Sequence, residues 1–282
     1  MGSCVNCGSP LKRRRRYDFK SAAFRAVYDD KFVYACTQCG LHQADVSKVD
    51  DARLLHYYRT EYRAIAKIGI GETGHRWYRA RAIALAELAA EHCRGVPARA
   101  FEVGAGYGYN LSALKALYPD LLLFTDELDE SIVLPDEIRR ADLSNGGPYD
   151  IVILSHVLEH FADPKQVLTA ALNALSKEGI VVIEVPNDVP GIVPLNGPDE
   201  PHLTFFTAQT LKALVGAELV YAAGPPYRRK SVARVRSFVA GILARTPMFS
   251  SMLANRRRRV VSSPSFSVRR PDGVFLRAVL RH

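Results

Sequence analysis

The stretch Phe101-Glu102-Val103-Gly104-Ala105-Gly106-Tyr107-Gly108 decides the fold, because an acidic residue ends a short apolar run two positions before three alternating glycines. Glycine has no Cβ, so a turn that follows a strand can take unusual backbone angles there and let a ligand approach the main chain. The stretch therefore predicts a strand, a ligand-binding turn and the start of a helix.

The glycine spacing and the charge of Glu102 indicate which ligand this turn binds. The dinucleotide fingerprint is Gly-x-Gly-x-x-Gly, whereas this turn has Gly-x-Gly-x-Gly. A carboxylate is unfavourable beside a diphosphate but favourable beside an ammonium or sulfonium group, so the turn favours S-adenosylmethionine (SAM) over NAD. The apolar run 121–124 then leads into acidic residues where a ribose diol needs an acceptor, with Glu127 as first candidate and Asp129 as second.

With these features the chain resembles the class I SAM-dependent methyltransferases over most of residues 76–282. The resemblance rests on several motifs in family order, namely the glycine turn, Ala141-Asp142-Leu143 and the residues 149–160, 183–187 and 202–207. The alternative is an ordinary Rossmann-like domain whose glycines only shape a turn. The agreement of several motifs favours the methyltransferase.

The resemblance implies a set of cofactor-binding residues, which are Glu102, Gly104, Gly106, Gly108, Glu127 and Asp142, and position along the sheet adds Ser155 and His156. In the family pattern Glu102 and the glycines face the methionine part of SAM. Glu127 would hold the ribose, and Asp142 would lie near the adenine amine. Ser155 and His156 follow the end of a predicted strand, where ligands collect.

From Arg99 onward the sequence alternates strands and helices, which predicts an α/β fold with right-handed crossovers. We predict a seven-stranded Rossmann-like methyltransferase sheet that is mostly parallel, with the last strand antiparallel. The predicted strands lie near residues 99–103, 121–125, 137–141, 149–154, 179–185, 217–223 and 273–280.

Composition sets the outer limits of this interpretation. The chain has 282 residues, of which 48% are hydrophobic and 24% charged, enough for a full core and a small accessory module. No apolar run approaches the roughly 18 residues that would span a bilayer, and the N-terminal segment lacks the features of a signal peptide. We therefore expect a cytoplasmic protein.

Four of the five cysteines form two pairs, each with two intervening residues and a following glycine. These are Cys4, Cys7, Cys36 and Cys39. Such knuckles direct both thiolates towards one ion, so the pattern predicts structural Zn²⁺ in a closed four-thiolate site. Disulfides are disfavoured in a reducing compartment, whereas the same spacing would also allow an iron–sulfur site or a bare thiol pair.

The sequence suggests three regions. Residues 1–48 form the predicted zinc ribbon, 49–97 a helical linker or cap, and 98–282 the SAM-dependent methyltransferase domain, which carries a basic insertion at 225–271. This division places the metal apart from the cofactor.

Methyl transfer is an in-line displacement, so the protein has to align the acceptor, exclude water and remove the acceptor's proton. Histidine suits a base near neutral pH. His202 is the first catalytic candidate, because it follows a Pro/Gly-rich loop at 186–201; His160 is the second, and His156 lies nearby. Alternatively, His202 hydrogen-bonds the loop to the core and His160 closes the start of a helix.

The motifs also resemble sugar C-methyltransferases acting on nucleotide-linked deoxysugars, and related bacterial enzymes of glycan and natural-product tailoring. Those enzymes usually carry Glu directly before the histidine that corresponds to His202. Here Pro201 stands in that position and Glu200 one residue earlier. The departure makes O-methylation of a sugar or similar hydroxyl at least as favoured as methylation of an acidic carbon.

Basic charge is concentrated in residues 225–282, which hold fourteen Lys or Arg against a single acid, Asp272, whereas the whole chain has a net charge of +9. We expect this charge to frame the substrate mouth, with a basic amphipathic helix near 232–243. The segment 225–271 would then cover a phosphate-bearing sugar nucleotide, touch anionic lipid at the inner membrane face beside a lipid-linked glycan, or bind RNA. A packed helix with a solvated arginine face is the simplest alternative.

Two further functions stay open. A zinc-ribbon RNA methyltransferase is the first, although the basic residues show little aromatic interleaving for base stacking. The second is a SAM-binding assembly partner without catalysis, because cofactor motifs establish binding only.

Overall fold

The computed structural model of the chain describes residues 2–16, 25, 27–28, 30, 32–62, 72–187, 202–217, 219–226 and 264–281. Residues 227–263, and with them most of the predicted basic insertion and its amphipathic helix, lie outside the described residues. The same holds for residues 188–201 of the predicted loop. Among the helices that are described, none combines the length and apolar character needed to cross a bilayer.

The N-terminal region folds into a small antiparallel sheet around the cysteine pairs. Its strands are β1 (Leu11–Arg16), β2 (Phe32–Cys36) and β3 (His42–Gln43). A short 3₁₀ turn at Val46–Lys48 leads into helix α1 (Asp51–Thr60). The side chain of Asp50 caps α1 by accepting a hydrogen bond from the Arg53 N–H at 2.9 Å, so the helix start is fixed directly after the ribbon.

The larger sheet contains seven strands, as the sequence predicts, in the order β10-β11-β8-β7-β4-β5-β6. In chain order they are β4 (Arg99–Glu102), β5 (Leu122–Thr125), β6 (Ile138–Arg140), β7 (Tyr149–Ser155), β8 (Leu175–Pro186), β10 (Leu219–Pro226) and β11 (Gly273–Arg281). β11 runs antiparallel to both of its neighbours, and the pairs from β8 to β6 are parallel. The predicted sheet is confirmed.

Helices cover the sheet and connect its strands. They are α2 (Glu72–His92), α3 (Tyr109–Leu117), α4 (Leu143–Gly146), α5 (Pro164–Asn173), α6 (Ala208–Val215) and α7 (Pro264–Ser267). The central strands β7 and β8 are buried along nearly their whole apolar length, as strands covered on both faces must be. Strand order reverses between β4 and β7, which opens a crevice at the carboxyl ends of these strands.

A short strand that the sequence did not predict lies after residue 98 in the chain but belongs to the small sheet. β9 (Thr204–Phe205) pairs antiparallel with β3, with His42 opposite Phe205 and Gln43 opposite Thr204. Buried apolar side chains continue across the same boundary, because Leu41 belongs to one cluster with Phe206. The ribbon and the region after residue 98 therefore share a sheet and a core.

Candidate cofactor and acceptor site

The glycine turn follows β4 and faces two carboxylates that follow β5. Gly104 and Gly106 take left-handed backbone angles, with φ of 59° and 60°, which other residues reach only with strain. The Gly104 N–H donates to Asp126 Oδ1 at 2.9 Å, and the Gly106 N–H donates to Glu127 Oε2 at 2.6 Å. The turn is thus held in place by acceptors on the neighbouring strand.

Glu102 ends β4 beneath this turn and is only 2% exposed. Asn110 Nδ2 donates to Glu102 Oε1 at 2.5 Å, while Glu102 Oε2 accepts no hydrogen bond from the described residues. Burial raises the pKa of Glu102 to about 8, although Asn110 opposes the shift. With this pKa, the carboxyl group is mostly protonated at pH 7.

Two adjoining cavities open at the carboxyl ends of β4, β5 and β7. The smaller one, of about 150 Å³, is lined by Glu102, Gly104 and Gly106, and the larger one, of about 480 Å³, by Asp126 and Glu127. The cavities share Tyr62, Gly104, His156 and His160. Their positions suit the methionine part of SAM in the smaller cavity and its ribose at the border of the larger one.

Most of the predicted cofactor residues meet at these cavities. Ser155 and His156 line the smaller cavity, and the buried hydroxyl of Ser155 makes no hydrogen bond to the described residues. Glu127 lines the larger one. Their roles towards SAM stay predictions, but the structure brings them to one place.

Three predicted residues lie elsewhere for identifiable reasons. Gly108 caps α3 with φ of 73°, and a Cβ there would stand 2.4 Å from Ile138 Cδ1, so its need for glycine is steric. Asp142 is exposed and caps α4 by accepting from the Ser144 N–H at 2.8 Å. Asp129, the second candidate for the ribose, accepts from its own turn, from the Ser131 N–H at 2.9 Å.

His156 occupies an unusual position between two buried carboxylates. It has φ of 56°, which is rare for a residue with a side chain. Its Nδ1 lies 3.4 Å from Glu159 Oε1 and its Nε2 lies 3.5 Å from Glu184 Oε1. Burial and Arg81 lower the pKa of His156, but the two carboxylates outweigh them and raise it above its ordinary value.

The two predicted catalytic histidines are neighbours. The ring centroids of His160 and His202 lie 5.0 Å apart, and His160 Nδ1 is 2.8 Å from the Tyr58 hydroxyl. Together with Glu159, they place one ligand atom each within 4.8 Å of one another. His160 lines both cavities, whereas His202 is absent from the lining of either and packs beside His160 and Phe205.

Four site residues were not predicted from the sequence. Asp126 could have been found as the first carboxylate after β5. Glu159 lies inside a quoted motif, but only the fold shows that it is buried among histidines. Arg81 and Tyr58 reach the cavities from helices α2 and α1, and no local pattern distinguishes them from other helical residues.

Arg81 lies at the smaller cavity within an internal charge network. Its Nε is 3.3 Å from Glu184 Oε1, and Arg277 Nε and Nη2 both lie 2.7 Å from Glu184 Oε2. Arg277 is 1% exposed. It therefore neutralises a buried carboxylate. Its place in the basic segment 225–282 had suggested a position at the substrate mouth, and for Arg277 this expectation is wrong.

The four cysteines of the ribbon form a cluster that fits structural zinc. Cys4 Sγ and Cys39 Sγ are 3.6 Å apart, and Cys7 Sγ and Cys36 Sγ are 3.4 Å apart. The edges of a tetrahedral ZnS₄ site measure about 3.8 Å for Zn–S bonds of about 2.3 Å. A disulfide needs about 2.05 Å, so this arrangement matches metal ligands.

Comparison with known proteins agrees with the fold. The sequence profile of the family described as "Methyltransferase domain" matches residues 75–218. A comparison with curated proteins finds no match. Similar solved structures include the plantazolicin methyltransferase BpumL with a pentazolic desmethylPZN analog and SAH, which has 17% identity and a TM-score of 0.47 and covers 80% of this chain and 93% of that chain.

Coclaurine N-methyltransferase bound to N-methylheliamine and SAH has 12% identity and a TM-score of 0.44, covering 82% of this chain and 86% of its own. A Haloferax volcanii complex that contains the Trm112 methyltransferase activator has 15% identity and a TM-score of 0.47. It covers 59% of this chain and 80% of that chain. These likenesses say nothing about the acceptor. The family profile spans half of the 282 residues and includes the glycine turn, the carboxylates after β5 and the β7 edge of both cavities. The chain therefore belongs to the methyltransferase domain family, and the protein is a SAM-dependent methyltransferase.

Proposed function

We propose that the enzyme transfers the methyl group of SAM to a hydroxyl of a small acceptor, with a sugar or glycan as the acceptor class. One observation carries this proposal. His160 lines both the cavity that contains Glu102 and the larger cavity beside it, so an imidazole stands where the two bound molecules would meet.

The walls of the larger cavity suit a sugar ring. Tyr58, Tyr62 and Phe161 offer aromatic faces, and Asp163 and Gln166 offer polar groups for hydroxyls. Mostly apolar walls with a few placed polar groups are typical of small-molecule sites. An uncharged ring can stack on the aromatic faces while its hydroxyls donate to the carboxylate and amide oxygens.

Charge argues against a phosphate inside this cavity. Its described lining contains the carboxylates of Asp51, Asp126, Glu127 and Asp163 and neither Lys nor Arg. A diphosphate beside these groups would be repelled. The cavity thus favours an uncharged acceptor, and a sugar nucleotide would have to keep its phosphates outside these walls.

The protein's own residues would prepare the reaction in three ways. When bound, SAM supplies a methyl carbon that the sulfonium charge activates for attack by the acceptor oxygen, and the electron pair of the broken C–S bond stays on sulfur. Glu102 would hold the ammonium group, and apolar residues such as Leu54 and Val103 would exclude water. His160 would accept the hydroxyl proton at Nε2 if its Nδ1 donates to the Tyr58 oxygen.

His202 keeps a role in this proposal as the partner of His160. Its ring lies 5.0 Å from that of His160, close enough to fix the orientation of the neighbouring imidazole and to stabilise its charge jointly with Glu159. A direct role as base would require the acceptor to reach His202 from outside the two cavities.

The test is a labelling experiment with separate acceptor pools. Purified enzyme and methyl-labelled SAM are incubated with neutral glycosides, nucleotide sugars, lipid-linked glycans or RNA. We expect label in a glycoside or glycan pool. His160→Ala and His202→Ala should each lower turnover by roughly 10²-fold or more without changing SAM affinity, whereas His56→Ala, an exposed histidine of α1, should match the wild type.

Three outcomes would contradict the proposal. Label in RNA would identify the zinc-ribbon RNA methyltransferase. SAM binding without label in any pool would favour a non-catalytic assembly partner. Wild-type turnover in both histidine variants would remove the base assignment.

A further inference from the structure

We propose that the zinc ribbon is a positioning element for the acceptor half of the site: through β3 and β9 it fixes Glu159, His160 and His202, while the SAM half is positioned by hydrogen bonds of its own. This inference rests on the proposed function, because that function gives the histidines their role. A four-thiolate zinc site would otherwise be assigned to folding alone.

The first step joins the metal cluster to β3. Gln43 is completely buried, and its Oε1 accepts from the Val5 N–H at 2.9 Å, inside the first cysteine knuckle. Its Nε2 donates to the Ala44 carbonyl at 3.1 Å. From the second knuckle, the Cys36 N–H donates to the Leu41 carbonyl at 2.8 Å, so both knuckles hold the segment that contains β3.

The second step joins β3 to the histidine cluster. Beyond the β3–β9 ladder, the Ala44 N–H donates to the Leu203 carbonyl at 2.7 Å. The Leu203 N–H in turn donates to the Glu159 carbonyl at 2.7 Å. Leu203, the residue directly after His202, is therefore bound to the ribbon on one side and to the residue before His160 on the other.

The third step runs through α1, which begins where the ribbon ends. The Leu203 side chain is fully buried in one cluster with Tyr28 of the ribbon and with Leu54 and Tyr57 of α1. The next residue of α1, Tyr58, places its hydroxyl 2.8 Å from His160 Nδ1. His160 is thus positioned from the ribbon by two routes, one through the backbone of Leu203 and one through the side chain of Tyr58.

The SAM half is held by other contacts. Glu102 is fixed by Asn110, Gly104 by Asp126 and Gly106 by Glu127, all within residues 102–127. Loosening of β3 should therefore displace the histidines and leave the glycine turn in place. A side chain misplaced by about 1 Å can cost catalysis roughly 10²-fold while binding elsewhere persists.

The test uses the zinc-loaded enzyme and the variant Gln43→Leu, which keeps all four zinc ligands and removes the hydrogen bonds of the amide. Gln38→Ala, an exposed position of the second knuckle, is the matched control. Zinc content, SAM affinity by calorimetry, amide hydrogen exchange and imidazole NMR signals are measured. None of these needs an acceptor, so a wrong acceptor class would leave the results unchanged.

We expect Gln43→Leu to retain its zinc and to bind SAM within about twofold of wild type, while the amides of Leu203 and Thr204 exchange at least about tenfold faster. The NMR signals of His160 and His202 should shift, and that of His56 should not. Removal of zinc from the wild type by a chelator should reproduce these changes, and adding Zn²⁺ back, but not Mg²⁺, should reverse them. Gln38→Ala should match the wild type.

Unchanged exchange at Leu203 and Thr204, both in Gln43→Leu and after zinc removal, would overturn the proposal. A loss of SAM affinity in proportion to the faster exchange would also overturn it, because the ribbon would then position the SAM half as much as the acceptor half.

Discussion

At the scale of single residues, the raised pKa of Glu102 makes its proposed role towards the cofactor testable. Burial raises its pKa from 4.5 to about 8, so the folded empty protein keeps a proton that the unfolded chain loses at much lower pH. Because the folded-state pKa is the higher one, the stabilising effect of this proton is full below pH 4.5 and is lost as the pH rises towards 8.

Binding of SAM should therefore release a proton. The ammonium group of SAM favours the ionised carboxylate, so SAM affinity should rise roughly fivefold between about pH 6.5 and 7.5, where an α-amino group is mostly charged. Calorimetry in two buffers of different ionisation enthalpy should show net release of most of one proton at about pH 7. Glu102→Gln should bind SAM more weakly than wild type and release no proton. A variant that binds SAM as tightly as wild type, with the same dependence on pH, would contradict the assignment.

Arg81 yields a second prediction for the smaller cavity. Its guanidinium is oriented by Glu184 and by the faces of Trp77 and Tyr78, at 5.4 and 5.3 Å from their ring centroids. Among the described residues that line this cavity, Arg81 is the one Lys or Arg, and we expect it to bind the carboxylate of the methionine part. Arg81→Met should weaken SAM binding roughly tenfold to a hundredfold, the usual effect of losing a charged hydrogen bond.

The control for Arg81 is a ligand without the carboxylate. Decarboxylated SAM should bind wild type and Arg81→Met with similar affinity, and Arg79→Met, an exposed neighbour on α2, should bind SAM normally. Equal losses for both ligands would show that Arg81 only supports the structure.

The clustering of the candidate cofactor residues was predictable because they are close in sequence. The acidic end of β4, the glycines and Glu127 follow a local spacing that few other structures require. Arg81 and Tyr58 approach from helices whose sequences match ordinary packing patterns, and their partners are distant in the chain. The missing information is therefore the three-dimensional arrangement of α1 and α2.

At the scale of elements, glycine is required at the ends of two helices for different physical reasons. Gly108 at the start of α3 and Gly216 at the end of α6 have φ of 73° and 65°, but an added Cβ would meet Ile138 only at Gly108. Gly216→Ala should cost about 1 kcal/mol of unfolding free energy for backbone strain. Gly108→Ala should cost roughly 1–3 kcal/mol more for the overpacking. Urea unfolding compares the two, and equal losses would show that Ile138 moves aside freely.

Most strands of the large sheet were predicted because they contain apolar runs between turn signals, and β7 and β8 are clear examples. β9 was not predicted. It has two residues, and its stability depends on pairing with β3, far away in sequence. Strands that form only through distant pairing leave little trace in a local pattern.

At the scale of the whole molecule, the shared core predicts that metal and methyltransferase fold together. Cys4 and Cys36 belong to the same buried cluster as Phe206 and Leu211. The single tryptophan, Trp77, packs on Phe266 and Phe275 in the methyltransferase region and reports on that region alone.

Removal of zinc, or Cys4→Ser, should therefore lower the unfolding temperature followed by Trp77 fluorescence by several degrees, since about 1 kcal/mol shifts the midpoint of a larger domain by about 2–4 °C. Cys93→Ser, outside the ribbon, should keep the full zinc content. A Trp77 transition that ignores zinc would mean that the ribbon unfolds separately.

The pairing of β3 with β9 also has a consequence for biosynthesis. Residues 42–43 leave the ribosome long before residues 204–205, by roughly 8–30 s at usual rates of synthesis. During that interval the nascent ribbon can already bind its metal, while one edge of its sheet has unpaired backbone groups. The cysteine cluster is thus complete early, whereas the histidine cluster has to wait for the last third of the chain, so that edge stays open to pairing with other chains during translation.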